Sequence, residues 1–118
     1  MITCHLRYEI DPTQAQVFEV YACGWIPVIE ALGGTHHGYF LPHEGADDVA
    51  YALFSFPNLA AYEKYHAEII FNSAAVQLLE LAAMTGIIRR CDHTFLRPLL
   101  GASVARDLDR GPMRLTSP

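Results

Sequence analysis

The residues best suited to chemistry begin with His43 beside Glu44. Histidine titrates near neutrality and a neighbouring carboxylate can share its proton, so the pair predicts a general acid–base couple. It lies within Pro42-His43-Glu44-Gly45-Ala46-Asp47-Asp48, between two apolar runs, Gly38 to Leu41 and Val49 to Phe56. Turn formers between apolar runs predict a hairpin, here with a loop longer than a two-residue turn requires. A structural role stays open beside the catalytic one. Glu44, Asp47 and Asp48 could bond the loop's backbone amides, with Gly45 at positive φ.

A second group follows from strand parity. Ile2, Cys4, Leu6, Tyr8 and Ile10 alternate with Thr3, His5, Arg7 and Glu9, which predicts a strand with one apolar face. His5 and Arg7 are then committed to the opposite face. His37, Tyr39 and Tyr51 join them there if the next two strands have matching parity. Arginine in a partly dry cavity suits a carboxylate or an enolate. An internal ion pair of Arg7 with Glu9 or with a partner's acid serves equally well. No metal is expected. Adjacent strand residues point to opposite faces, so His36 and His37 cannot readily share an ion, and the short ligand spacings of zinc sites are missing. No phosphate loop, dinucleotide fingerprint or Ser-His-Asp order occurs, so no cofactor is expected.

These residues need elements to hold them. After the first strand, Asp11-Pro12 with Gln14 predicts a capped helix start. Val17, Phe18, Tyr21, Trp25, Val28, Ile29 and Leu32 recur at helical spacing, up to a stop at Gly33-Gly34. Pro27 within this run predicts a kink near Cys23 and Gly24. Thr35 to Leu41 and Val49 to Phe56 read as the second and third strands. Asn58 caps a second helix from Leu59 to about Ile70, with Leu59, Tyr62, Tyr65, His66 and Ile69 as its apolar stripe. Asn72-Ser73 opens a third, to about Thr85, apolar around most of its circumference and so expected to be buried on several sides. Ile87 to Leu96 is a fourth strand.

Length and composition set the limits. A chain of 118 residues suits one domain with a sizeable core. Residues 1–100 carry the pattern; residues 101–118 read as a flexible tail or docking arm. The net charge is −5 with one lysine, Lys64, which argues against nucleic acid and anionic membrane as partners. No apolar run has the length of a membrane span. Met1-Ile2-Thr3-Cys4 leads straight into a strand, so no leader peptide is expected. Three scattered cysteines, Cys4, Cys23 and Cys91, suit the reducing cytoplasm. A hydrophobic fraction of 52% leaves apolar surface for an oligomer to cover.

The order β-α-β-β-α-α-β predicts an α+β, ferredoxin-like fold, with a four-stranded antiparallel sheet carrying helices on one face. The bare face then wants a second copy, and two sheets paired face to face enclose a lined cavity. Arg7-Tyr8-Glu9-Ile10-Asp11-Pro12, Gly38-Tyr39-Phe40-Leu41-Pro42-His43-Glu44-Gly45, Leu59-Ala60-Ala61-Tyr62-Glu63 and Thr94-Phe95-Leu96-Arg97 together resemble bacterial members of the NIPSNAP family. The resemblance covers most of Met1 to Pro98. It implies a homodimer forming a dimeric α/β barrel, and it implies no established reaction. The sequence departs from the family's pattern at His36-His37 and at Arg90-Cys91-Asp92-His93. Two functions stay open: a barrel that binds or transforms a small anionic or carbonyl compound without a cofactor, and a non-catalytic interaction module acting through its dimer surface.

Overall fold

The computed structural model describes residues 1–99. The predicted tail, 101–118, lies outside them. Strand β1 is Ile2–Ile10, followed by a 3-10 turn, Pro12–Gln14, and helix α1, Ala15–Ala31. Strands β2, Thr35–Phe40, and β3, Val49–Phe56, form the hairpin. Helix α2, Leu59–Glu68, runs through a second 3-10 turn, Ile69–Phe71, towards helix α3, Ser73–Thr85, and β4 is Ile88–Leu96. The sheet order is β2-β3-β1-β4, with every neighbouring pair antiparallel. This is the α+β, ferredoxin-like arrangement expected from the element order.

Alternation in β1 sorts the two sides of the sheet. Cys4, Tyr8 and Ile10 are buried on the helix-covered side, with Ala50, Ala52, Phe54 and Phe56 of β3. Helix α1 supplies Phe18, Tyr21, Ala22, Trp25, Val28 and Ile29 to the same core, at spacings of three and four. Pro27 lies inside α1, and the helix continues past it to Ala31. Helix α3 reaches α1 at Gly24, where a Cβ would stand only 2.6 Å from a methyl of Leu78.

The helix ends follow their capping residues. Asp11 accepts from the Thr13 amide at 3.0 Å and from the Gln14 side chain at 3.0 Å. Gln14 does not reach back to the cap's own amide, as a capping box would require; its Nε2 also donates to the Thr85 carbonyl at 2.9 Å, tying the start of α1 to the end of α3. These bonds, the Gln14 bond first, hold the Asp11 carboxyl down at about 2. Asn58 and Asn72 accept from Ala61 and Ala75 amides at 2.8 and 2.9 Å. Gly86 closes α3 in the left-handed conformation.

Two expectations about the helices need correcting. Helix α3 is not buried on several sides: only Ala75 is fully buried, while Leu79 and Met84 are exposed. A thirteen-residue helix resting on α1 offers one face to the core, and its remaining apolar side chains meet solvent in the single chain. On α2, Tyr65 is buried against Phe54 and Phe56 of β3, but Leu59 and His66 are exposed.

Candidate functional site

The face of the sheet away from the helices carries the polar residues. Register places Thr3 opposite Ser55, His5 opposite Leu53, Arg7 opposite Tyr51 and Glu9 opposite Val49. On the other side of β1, Arg7 faces Asp92 of β4. Cross-strand partners share a face, so all of these side chains stand on the uncovered side.

Arg7 is the charged centre of this face. Its Nη1 donates to Glu9 Oε2 at 2.9 Å, and Asp92 Oδ2 lies 4.0 Å away. The bond to Glu9, and after it the neighbouring Tyr51, raise the guanidinium pKa above its ordinary value. Arg7, Glu9 and Asp92 are each more than a third exposed, so the ion pair is open to solvent. Tyr51 also meets His5, ring centre to ring centre at 5.4 Å. Beside Arg7 lies an open depression of about 490 Å³. Its floor is Arg7, Phe40, Val49 and Tyr51; its wall is Leu41, Pro42, His43, Glu44 and Ala46 of the β2–β3 loop. His43 and Glu44 therefore border the same space as Arg7. Both are exposed, and among the described residues no hydrogen bond joins them to each other or the loop's acids to its amides.

His37 belongs to this face as well, at the opposite end. Its Nε2 lies 2.7 Å from Ser55 Oγ, which lies 2.7 Å from Thr3 Oγ1. Ser55 and Thr3 are only 3% and 7% exposed. Sequence reading named His37 but neither hydroxyl. Thr3 sat at the right parity; nothing marked Ser55, whose register became visible only once β3 was paired.

Tyr39 is a correction. It stands on the helix-covered side, its ring 6.2 Å from Tyr8 and 6.0 Å from Phe18, and it is not part of the uncovered face. Burial pushes its hydroxyl pKa well above the ordinary tyrosine value. The cause is a β-bulge. His36 pairs with Phe54 but Gly38 pairs with Leu53, so His37 is the extra residue. Gly38 has φ +120°, and its amide donates to His36 Nδ1 at 2.9 Å. The extra residue turns Tyr39 inward and leaves His37 outward.

The NIPSNAP family profile matches residues 5–100. The chain belongs to the NIPSNAP family. No curated protein matches it. Among solved structures, a NIPSNAP family protein of unknown function from Agrobacterium tumefaciens superposes with a TM-score of 0.71 at 14% identity, over 83% of this chain and 87% of that one. An uncharacterised NIPSNAP-like domain protein from Burkholderia xenovorans gives 0.69 at 17% identity, over 83% and 84%. A candidate antibiotic biosynthesis monooxygenase from Nitrosomonas europaea gives 0.67 at 6% identity, over 85% and 100%. At these identities the likeness is one of fold. Within the described residues of this NIPSNAP chain, no three His, Cys, Asp or Glu side chains converge to hold a metal ion, and no single helix is long and apolar enough to cross a membrane.

Proposed function

We propose that two copies of this NIPSNAP chain pair through their uncovered sheet faces, as a dimeric α/β barrel, and bind a small anionic or carbonyl compound in the enclosed space. The observation that carries this reading is Arg7: a guanidinium on an otherwise uncovered sheet face, at the floor of an open depression. Among the described residues, Glu9 is its one close carboxylate and Asp92 stands off at 4.0 Å, so the fork of donors has capacity for a ligand carboxylate or enolate. His5 and Tyr51 stand beside it, and His43 and Glu44 of the loop are within the same depression as acid–base groups. The chemistry is cofactor-independent. Its compartment is the cytoplasm, which suits three free cysteines.

The test is Arg7→Met, which keeps the length and removes the charge. Native mass spectrometry of protein purified without a metal-binding tag, screened against a panel of carboxylates and oxo acids, identifies the ligand class. The variant is expected to lose that binding while keeping the dimer mass. Unchanged affinity in the variant sinks the reading.

The second reading, a non-catalytic interaction module, draws on a different observation. Ile70, Phe71, Leu79 and Met84 are exposed on the helix side. A chain that binds no small molecule but loses a protein contact when Phe71 and Met84 become polar would belong to this class.

A further inference from the structure

The hydroxyl–imidazole chain Thr3, Ser55, His37 can work in two ways. Ser55 as a nucleophile is the first. It fails on its surroundings: Ser55 is buried, and β3 is paired on both sides, so its amides serve the two ladders. The nearest irregular amide, that of Gly38, is bonded to His36. The second way is positional. A buried hydroxyl 2.7 Å from Nε2, itself 2.7 Å from the Thr3 hydroxyl, fixes the ring's aim. In the arrangement where Nε2 donates to Ser55 and Ser55 donates to Thr3, Nδ1 is the basic nitrogen, on an exposed residue. Among the described residues, nothing hydrogen-bonds to it.

We infer that His37 is the proton-transfer residue of the uncovered face, held by Ser55 and Thr3 as positioning residues, and that its substrate is an oxo acid with the carbonyl far from the carboxylate. The inference rests on the reading of Arg7 as the anion anchor. The length comes from register. Ser55 is opposite Thr3 and Tyr51 is opposite Arg7, four residues apart along both strands, which is about 13 Å. Arg7 pairs with Glu9, the neighbour on its side away from Thr3, so the guanidinium does not lean towards His37. Between the two ends lie Leu53, the side-chain-free Gly38 and the His5 ring opposite Leu53, so a methylene chain runs over Leu53 and Gly38 with an imidazole along one side.

The step balances within the site. A C–H bond next to the substrate carbonyl breaks, its proton goes to His37 Nδ1, and its electron pair becomes the enolate. The imidazolium keeps its Nε2 proton on Ser55. Return of a proton from Nδ1 to carbon closes the cycle, so in heavy water the substrate gains deuterium with no other reactant.

The probe is 9-oxodecanoate, with 4-oxopentanoate as a control too short to span both ends. The wild-type protein in heavy water is expected to exchange the α-protons of 9-oxodecanoate, followed by proton NMR, at least tenfold above buffer and above the short control. His37→Gln should return the rate to that of buffer. Ser55→Ala should lower kcat about tenfold with KM unchanged, and Thr3→Val less. Long-range proton–nitrogen NMR should find His37 protonated at Nε2 in the wild type and a mixture of tautomers in Ser55→Ala. Circular dichroism melts serve to accept only folded variants. Binding of 9-oxodecanoate without exchange, exchange that survives His37→Gln, equal exchange of the short control, or a proton fixed on Nδ1 overturns the assignment. Failure of 9-oxodecanoate to bind the wild type at all sinks the Arg7 reading, and the assignment with it.

Discussion

His36 carries its neutral form into the fold. Nδ1 accepts from the Gly38 amide, so the ring proton sits on Nε2, which is buried with no partner. The ring stacks on Tyr39 and Phe54, with centres 5.0 and 5.7 Å apart. Burial, and after it the neighbouring His37, lower its pKa; Glu30 of α1 acts in the opposite sense. A second proton would also set an N–H against the N–H of Gly38. In the unfolded chain the ring takes a proton near 6.5; in the fold it does so only at lower pH. Between those values the unfolded state binds more protons, so stability falls as pH falls. Above 6.5 the contribution is fully present. His36→Asn keeps an acceptor for Gly38 without the titration. The wild-type melting temperature is expected to drop from pH 7.5 to about 5.5 by more than that of the variant. Parallel curves would show that His36 is not the group responsible. At this scale the sequence identified the histidine pair and its division between two faces. It could not assign which histidine faces which side, because that depends on pairing with β3.

The bulge makes the same point for an element. β1 was legible residue by residue, since nine residues alternate without a break and only one parity buries Tyr8 and Ile10. β2 was not, because one extra residue at His37 reverses the parity of everything after it. His37 and Tyr39 could therefore not both be placed by counting in twos. Gly38 is the one local sign of the bulge, and its φ of +120° is a conformation that side chains resist. Nothing lies near the position of a Cβ there, so the cost of Gly38→Ala is conformational and not steric. The substitution is expected to destabilise the fold by about 1–3 kcal/mol in urea denaturation. A neutral result would mean that the bulge tolerates a side chain and that Tyr39 is held inward by its aromatic neighbours alone. Helix α3 misled for a related reason. Its composition counts apolar residues, but burial depends on how many elements surround a helix, and among the described residues α3 packs chiefly on α1.

For the whole molecule, the question is which surface a second copy covers. Four strands about 4.8 Å apart and roughly eight residues long present a flat footprint on the order of 500 Å² before side-chain relief. A standard interface takes about 800 Å² per partner, so the flat face supplies over half of a dimer's area and its relief and loop must supply the rest. The exposed side of α3 is the competitor, with Leu79 and Met84 open to solvent. Single charges separate the two. Leu53 stands in the middle of the uncovered face, opposite His5 and beside Gly38. In a face-to-face dimer, Leu53→Glu would bury a carboxylate opposite the His5 ring, a cost of several kcal/mol that a small interface does not absorb. Leu79→Glu on α3 would leave its carboxylate in water. Light scattering at micromolar protein is therefore expected to give a dimer mass for the wild type and for Leu79→Glu, and a monomer mass for Leu53→Glu. The reverse result would move the interface to α3 and leave Arg7 facing solvent. A wild-type monomer would remove the enclosed cavity, because the depression beside Arg7 is open on its outer side in a single chain.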